Sequence, residues 1–127
     1  MRKTINSNRV WEKKVGYSRL KIVNDFFYVA GTTASDKNGV IIGKTASEQM
    51  NYICNFIKDT LEDNNISFND ITRTRIFLTN INDWEEVGKV HYQFFDNILP
   101  VTTVVEVSAL TLKEMLIEVE FEGILTN

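Results

Sequence analysis

The chain has 127 residues, a net charge of −3 and 43% hydrophobic residues, which is typical of one soluble globular domain spanning residues 1–127. The pI of about 5.2 argues against nucleic-acid binding, because that binding depends on cationic contacts with phosphate. The single cysteine, Cys54, excludes an intramolecular disulfide and a thiolate metal cage, so we expect no metal or other cofactor. There is no apolar leader and no apolar run of about 20 residues, so we expect a cytoplasmic protein without membrane contact.

The N-terminal third predicts short strands, with a β-hairpin as its clearest feature. Residues 1–15 are polar, and we expect a short strand or arm among them. Apolar and polar residues alternate over residues 18–23, and residues 26–30 form an almost continuous apolar run. An asparagine and an aspartate between the two runs signal the turn of a hairpin, and a further short strand is expected at residues 40–42.

Two amphipathic helices, separated by a strand, are predicted next. Thr45 and Glu48 form a capping box at the start of the first helix, and Asn82 is expected to cap the second. The strand between them is predicted over residues 70–78. Each helix has one apolar stripe, so both should cover the same face of a mixed sheet. The stripes are Met50, Ile53, Cys54, Ile57 and Leu61 in the first helix, and Trp84, Val87, His91, Phe94 and Phe95 in the second.

Two β-rich runs end the chain and complete an α+β fold. Residues 101–107 are β-branched at six of seven positions, which predicts a well-covered strand, and Glu106 is the only charge among them. Residues 115–122 alternate strictly, so three glutamates share one face of the strand. Since a half-buried carboxylate is costly without a partner, these glutamates are the first candidates for a site. The second sheet face has no predicted cover, so we expect self-association.

The C-terminal runs contain Pro-x-x-x-x-Val-Glu-Val at residues 100–107 and Ile-Glu-Val-Glu at residues 117–120. This pattern resembles the C-terminal signature of the Rid (YjgF) family, the small reactive-intermediate deaminases. The chain looks most similar to the branch with Gly-Tyr-Ser-Arg, here residues 16–19, and Pro-x-Thr-Thr-x-Val-Glu-Val. The resemblance implies a chorismate-mutase-like fold and a homotrimer whose sheets form a central barrel, with small-molecule clefts between subunits.

Glu118 matches the cleft glutamate of the family, which makes it the predicted catalytic residue. A carboxylate there can position or activate the water that attacks an imine carbon. Because Glu120 and Glu122 lie on the same strand face, one of the three carboxylates could have a raised pKa. The alternative interpretation is a solvated row of charges on a strand.

Tyr17 and Gly31 also match cleft positions of the family, and we predict that both bind substrate. A glycine at a strand end lets a ligand approach the backbone closely. The alternative is that Tyr17 only packs and that Gly31 only permits a bend.

Thr102 departs from the family pattern, since the deaminase branch has an arginine there that pairs with the substrate carboxylate. We predict that the Thr102 and Thr103 hydroxyls hold the substrate instead. Without the arginine charge, the substrate should differ from the usual small 2-imino carboxylate.

Another cation could compensate for the missing arginine. Arg19 is the predicted substrate-binding cation, and Arg73 and Arg75 project together from one strand face. We expect Arg19 or Arg75 to meet the glutamate row across the trimer interface, because unpaired carboxylates on a covered face need partners. His91, the only histidine, is interpreted as a packing or interface residue rather than a base.

Three functions fit these observations. The first is water-assisted hydrolysis of an enamine or imine between subunits, on a non-standard substrate. The second is a regulatory trimer that binds a metabolite without converting it. The third is the endoribonuclease (L-PSP) activity named for some relatives, which the acidic composition disfavours.

Overall fold

One six-stranded mixed sheet forms the frame of the protein, in a computed structural model that describes residues 1–126. The order across the sheet is β1-β2-β3-β6-β4-β5. Strands β4 and β5 run parallel, whereas the other neighbouring strands run antiparallel. The strands are β1 (Arg2–Ile5), β2 (Leu20–Val23), β3 (Phe26–Thr32), β4 (Ile71–Leu78), β5 (Val101–Glu106) and β6 (Ile117–Ile124).

Two long helices, α2 (Ala46–Asp63) and α3 (Trp84–Phe95), pack against each other on one face of the sheet. Thr45 caps α2 as predicted, since its hydroxyl accepts a hydrogen bond from the Glu48 amide at 3.1 Å. Helix α2 buries its whole predicted stripe, which confirms the predicted α+β class. Helix α3 buries only Val87 and Phe95 of its predicted stripe, and Trp84 is exposed, so its inclusion in the stripe was wrong. Full burial of each large apolar side chain contributes roughly 1.5–3 kcal/mol. The buried apolar side chains of β6 are Ile117, Val119 and Phe121.

The N-terminal region contains a helix that the sequence did not predict. Helix α1 (Val10–Val15) spans six residues and ends at Gly16, whose φ of 92° is readily adopted by glycine. Two other expectations were wrong. The strand expected at residues 40–42 is a single bridge between Ser35 and Ile41. Asn82 does not cap α3: a 3₁₀ turn at Ile81–Asp83 precedes the helix.

Strand β5 lies at the edge of the sheet, and all six of its residues are exposed in the single chain. It was expected to be well covered, but only β4 pairs with it among residues 1–126. Glu106 has a structural partner: its carboxylate accepts a hydrogen bond from the Ile81 amide at 3.0 Å. That bond satisfies a free amide at the start of the 3₁₀ turn, so Glu106 is no longer a candidate for the site.

Cys54 lies on the buried stripe of α2 and is fully inaccessible to solvent. Burial raises the pKa of its thiol to about 12, because the thiolate would lose its hydration. Among the described residues, no helix is both long enough and apolar enough to cross a lipid bilayer.

Candidate active site

A cavity of about 550 Å³ brings together four of the six predicted site residues. Three parts of the chain supply these residues. Tyr17 and Arg19 come from the connection between α1 and β2, Gly31 comes from β3, and Glu118 comes from β6. Three hydroxyl-bearing residues, Thr33, Ser35 and Thr111, also line the cavity. This volume lies in the range of small-molecule sites, so the cavity is large enough for a metabolite.

Glu118 projects from β6 toward β3 and meets Gly31 there. A Cβ at position 31 would overlap Oε2 of Glu118, so any larger residue would push this carboxylate out of its present position. Gly31 also lies where the β3–β6 register shifts, between Val29 and Thr32. The glycine at the strand end therefore admits the carboxylate to the cavity wall.

The three carboxylates of β6 have different partners. Arg73 contacts Glu122 at 2.9 Å, and Arg75 contacts both Glu120 and Glu122 at 3.4 Å. Within residues 1–126, Glu118 has no ion pair and no hydrogen bond to its carboxylate. Glu118 is therefore the carboxylate of the row that is left available to a ligand.

The surroundings of Glu118 raise the pKa of its carboxyl. Burial is the main cause, because it removes water from the charged form, and the neighbouring Glu120 charge adds to it. The Arg19 charge lowers the pKa of Glu118, but this effect is smaller than the combined effect of burial and Glu120. A raised pKa lies closer to neutral pH, which suits a group that must both accept and donate protons.

Arg19 is built into the cavity wall and is not a free cation. Its side chain is 3% exposed, and its Nε contacts Glu12 Oε2 at 3.3 Å. Its Nη1 donates to the Gly31 carbonyl at 3.1 Å and to Thr32 Oγ1 at 2.8 Å, and its Nη2 donates to Tyr17 Oη at 3.4 Å. These bonds fix Tyr17 and the backbone at Gly31, so Arg19 shapes the site through its neighbours.

Thr102 and Thr103 do not line this cavity in the single chain. Thr102 Oγ1 lies 2.7 Å from Thr74 Oγ1, which in turn lies 2.9 Å from His91 Nε2. The His91 ring stacks on Phe95, and burial lowers its pKa, so it is neutral at pH 7. This neutral network agrees with the interpretation of His91 as a packing residue.

The structure adds residues of α1 and its flanks to the cavity, and these were missed in the sequence. Arg9, Trp11 and Lys14 line it, and Glu12 is the buried partner of Arg19. A signal was present: two lysines followed by Gly16 are typical of a helix C-terminus. Among residues 1–126, no group of three or more His, Cys, Asp or Glu side chains is arranged to hold a metal ion.

Comparison with known proteins identifies the family of the chain. The family model described as Endoribonuclease L-PSP matches residues 8–124. The chain belongs to this family, also known as the Rid (YjgF) family. A RutC family protein of Pyrococcus abyssi is 34% identical over 110 residues, which cover 85% of this chain and 86% of that protein. The Rid assignment confirms the prediction made from the C-terminal motifs.

Two other Rid-family relatives support the fold and bear on function. The crystal structure of a Mycobacterium tuberculosis member of the YjgF/YER057c/UK114 family superposes with a TM-score of 0.89 at 35% identity, covering 98% of this chain and all of that chain. The 2-iminobutanoate/2-iminopropanoate deaminase of Rattus norvegicus is 25% identical over 121 residues, covering 94% of this chain and 88% of that protein.

Proposed function

We propose that this Rid-family protein hydrolyses an imine or enamine and releases ammonia, in a cleft between copies of the chain in a homotrimer. The observation that carries the proposal is Glu118, a half-buried carboxylate that lacks an arginine partner and faces a cavity of metabolite size. The deaminase name of the rat relative supports the same class of reaction. The cytosolic location stays a prediction.

The chemistry needs one group that takes a proton from water and later returns it. The Glu118 carboxylate takes a proton from water as the water oxygen adds to the carbon of the protonated imine, which gives a neutral carbinolamine. The protonated Glu118 then donates that proton to the nitrogen. As the C–N bond breaks, the carbinolamine hydroxyl gives its proton back to Glu118, so a carbonyl compound and ammonia leave. Its raised pKa favours the second of these steps.

Substrate binding in this proposal uses groups from two copies of the chain. Gly31 lets the substrate approach the backbone of β3, and Tyr17 presents its ring beside it. Thr102 and Thr103 lie on the exposed edge strand β5, from which a second copy would contribute them. Threonine supplies no charge, so we propose a substrate other than the usual small 2-imino carboxylate.

The test is ammonia release by the wild type and by Glu118→Gln, measured with 2-aminocrotonamide as an uncharged enamine and with freshly generated 2-aminocrotonate for comparison. We expect the variant to lose at least about 100-fold in rate, because it cannot take up the proton. Glu122→Gln is the matched control, since that carboxylate lies on the same strand face but is paired with Arg73 and Arg75. An unchanged rate in Glu118→Gln would refute the assigned role.

The second candidate function is a trimer that binds a metabolite without converting it, and Thr102 favours it. Thr102→Arg separates the two. If the wild type releases no ammonia from 2-aminocrotonate but the variant does, the cleft is catalytic but adapted to another substrate. If both proteins are inert, the binding function is favoured and a ligand screen follows.

A salt-dependent RNA-binding assay tests the endoribonuclease function, which the acidic pI disfavours.

A further inference from the structure

Arg19 and Glu118 line the same cavity, yet they form no ion pair with each other within residues 1–126. Both side chains reach the same strand end at Gly31. The Arg19 Nη1 donates to the Gly31 carbonyl at 3.1 Å, and the Glu118 carboxylate occupies the space beside the Gly31 Cα. Opposite charges at one glycine attract each other, so another contact must hold the guanidinium away from Glu118.

The donor groups of Arg19 are occupied by other acceptors. The Arg19 Nε contacts Glu12 Oε2 at 3.3 Å. Its Nη1 donates to Thr32 Oγ1 as well as to the Gly31 carbonyl, and its Nη2 donates to Tyr17 Oη. Among these acceptors, the Glu12 carboxylate carries the negative charge. A charged acceptor binds a guanidinium about twice as strongly as a neutral one, so Glu12 is the main anchor of Arg19.

Glu12 is itself fixed by the segment that precedes α1. The Ser7 amide donates to Glu12 Oε1 at 2.8 Å, and the Ser7 hydroxyl donates to Glu12 Oε2. The side chains of Glu12 and Arg19 are 2% and 3% exposed, so both charges are removed from water. A hydrophobic pair of similar volume is often as stable as a buried ion pair, so stability alone does not account for this arrangement. Its place beside the cavity points to a role in the site.

The other charged side chains near Glu118 do not compete for Arg19. Glu120, its neighbour on β6, is paired with an arginine of β4 at 3.4 Å. Arg9 donates to a backbone carbonyl at 3.0 Å, and Lys14 is exposed at the edge of the cavity lining. Arg19 is the cation whose charge lowers the pKa of Glu118, so the place of its guanidinium decides how that carboxyl titrates.

We propose that Glu12 is a positioning residue for the proposed reaction: it holds Arg19 in place beside β3, so that Glu118 stays free of an ion pair. Without the Glu12 carboxylate, the guanidinium turns toward Glu118 and pairs with it. An arginine partner lowers the pKa of a carboxyl, so Glu118 would then return a proton poorly near neutral pH. The role of Glu12 in turnover rests on the proposed function, whereas its effect on the Glu118 carboxyl is measured without substrate.

The test is a pH titration of the Glu118 side-chain carboxyl by NMR, with carbon-labelled glutamate and with the signal assigned from Glu118→Gln. We expect Glu12→Gln to lower the midpoint of this titration by at least about one pH unit, because the released guanidinium pairs with Glu118. Glu86→Gln is the matched control, since it removes the same charge from an exposed position on α3. Its midpoint should stay within about 0.2 pH units of the wild type, because solvent screens a distant charge.

A double variant shows whether the effect runs through Arg19. In Glu12→Gln with Arg19→Met the guanidinium is absent, so the midpoint should return to the wild-type value or lie above it. An unchanged midpoint in Glu12→Gln would overturn the proposal, and so would an equal lowering in the double variant. If Glu12→Gln does not fold, Glu12→Asp takes its place, because its shorter side chain holds Arg19 less firmly. Its midpoint should then lie below those of the wild type and the double variant, and equal midpoints would overturn the proposal.

Ammonia release from 2-aminocrotonamide separates this proposal from the proposed function. If the wild type is active, the acidic limb of its pH–rate profile should move to lower pH in Glu12→Gln by the same amount as the NMR midpoint, and the maximal rate should fall about tenfold or more. A wild-type profile in Glu12→Gln would overturn the role of Glu12 in turnover. If the wild type releases no ammonia but the NMR midpoints move as expected, the deaminase function is refuted and the hold of Glu12 on Arg19 is supported.

Discussion

Two polar networks hold residues of the proposed site, and they differ in charge. Glu12 and Arg19 form an ion pair whose side chains are 2% and 3% exposed, tied to the Gly31 carbonyl. Thr102 belongs to a neutral network of hydroxyls and one imidazole at the sheet edge. The difference shows that the network around Arg19 is held by charge, whereas the network around Thr102 is held by neutral groups.

This distribution has a consequence for ligand recognition. A charged group of a ligand finds no counter-charge at Thr102, because His91 is neutral at pH 7. On the α1 side it finds Lys14, while the charge of Arg19 is balanced by Glu12. If the proposed intersubunit cleft forms, the comparison predicts ionic contacts to a ligand on the α1 side and hydroxyl contacts on the β5 side.

The largest effect is expected from breaking the charged network. Arg19→Met leaves Glu12 as an uncompensated buried charge, and we expect the free energy of unfolding to fall by about 3–5 kcal/mol. Urea unfolding measures it. The double variant Glu12→Gln with Arg19→Met should recover part of the loss, since it removes the stranded charge. A loss below about 1 kcal/mol in the single variant would show that the pair is not desolvated.

A smaller effect is expected from Glu118→Gln, and its sign depends on pH. The raised pKa means that folded Glu118 holds its proton above the ordinary value of 4.5, so stability falls as pH rises from 4.5 through the folded pKa. Glutamine does not ionise. The variant should therefore have a higher Tm than the wild type at pH 7, and the difference should close by pH 4. Glu122→Gln is the control, and its own change in Tm is subtracted at each pH. If the corrected difference in Tm between Glu118→Gln and the wild type is the same at pH 4 and pH 7, the raised pKa of Glu118 is contradicted.

The smallest effect is expected in the neutral network. Thr102→Val keeps the shape of the side chain but removes its hydrogen bonds with Thr74 and with the Pro100 carbonyl, which should cost about 1 kcal/mol of unfolding free energy. Thr103→Val is the control, because its hydroxyl makes no hydrogen bond among residues 1–126, and about 0.5 kcal/mol or less is expected. Equal losses in urea unfolding would show that the Thr102–Thr74 bond adds no stability.

Strong periodic patterns made most of the fold predictable. The capping box at Thr45 and the alternation in β6 set helix and strand boundaries through local chemistry, so the sequence was sufficient there. Helix α1 has only six residues, too few to be stable alone, and its position depends on tertiary contacts such as the Glu12–Arg19 pair. Such contacts are not visible in a local pattern.

The candidate site was predictable in part, for the same reason. Glu118 and Gly31 meet because β6 pairs with β3, and the family motifs pointed to both. The partners of Arg19 could not be predicted, because its ion pair forms across the turn at Gly16. Thr102 does not line the cavity of the single chain. The proposed role of Thr102 requires a second copy of the chain, which no pattern within one sequence specifies.

The burial of Cys54 makes the protein convenient for site-specific labelling. With a thiol pKa of about 12 and no solvent access, the native cysteine should resist maleimides near neutral pH. A cysteine introduced on the exposed face of α1, for example by Lys13→Cys, would then be the reactive thiol of the chain. A fluorophore at that position would report the entry of ligands beside Lys14 without removal of any native side chain from the cavity.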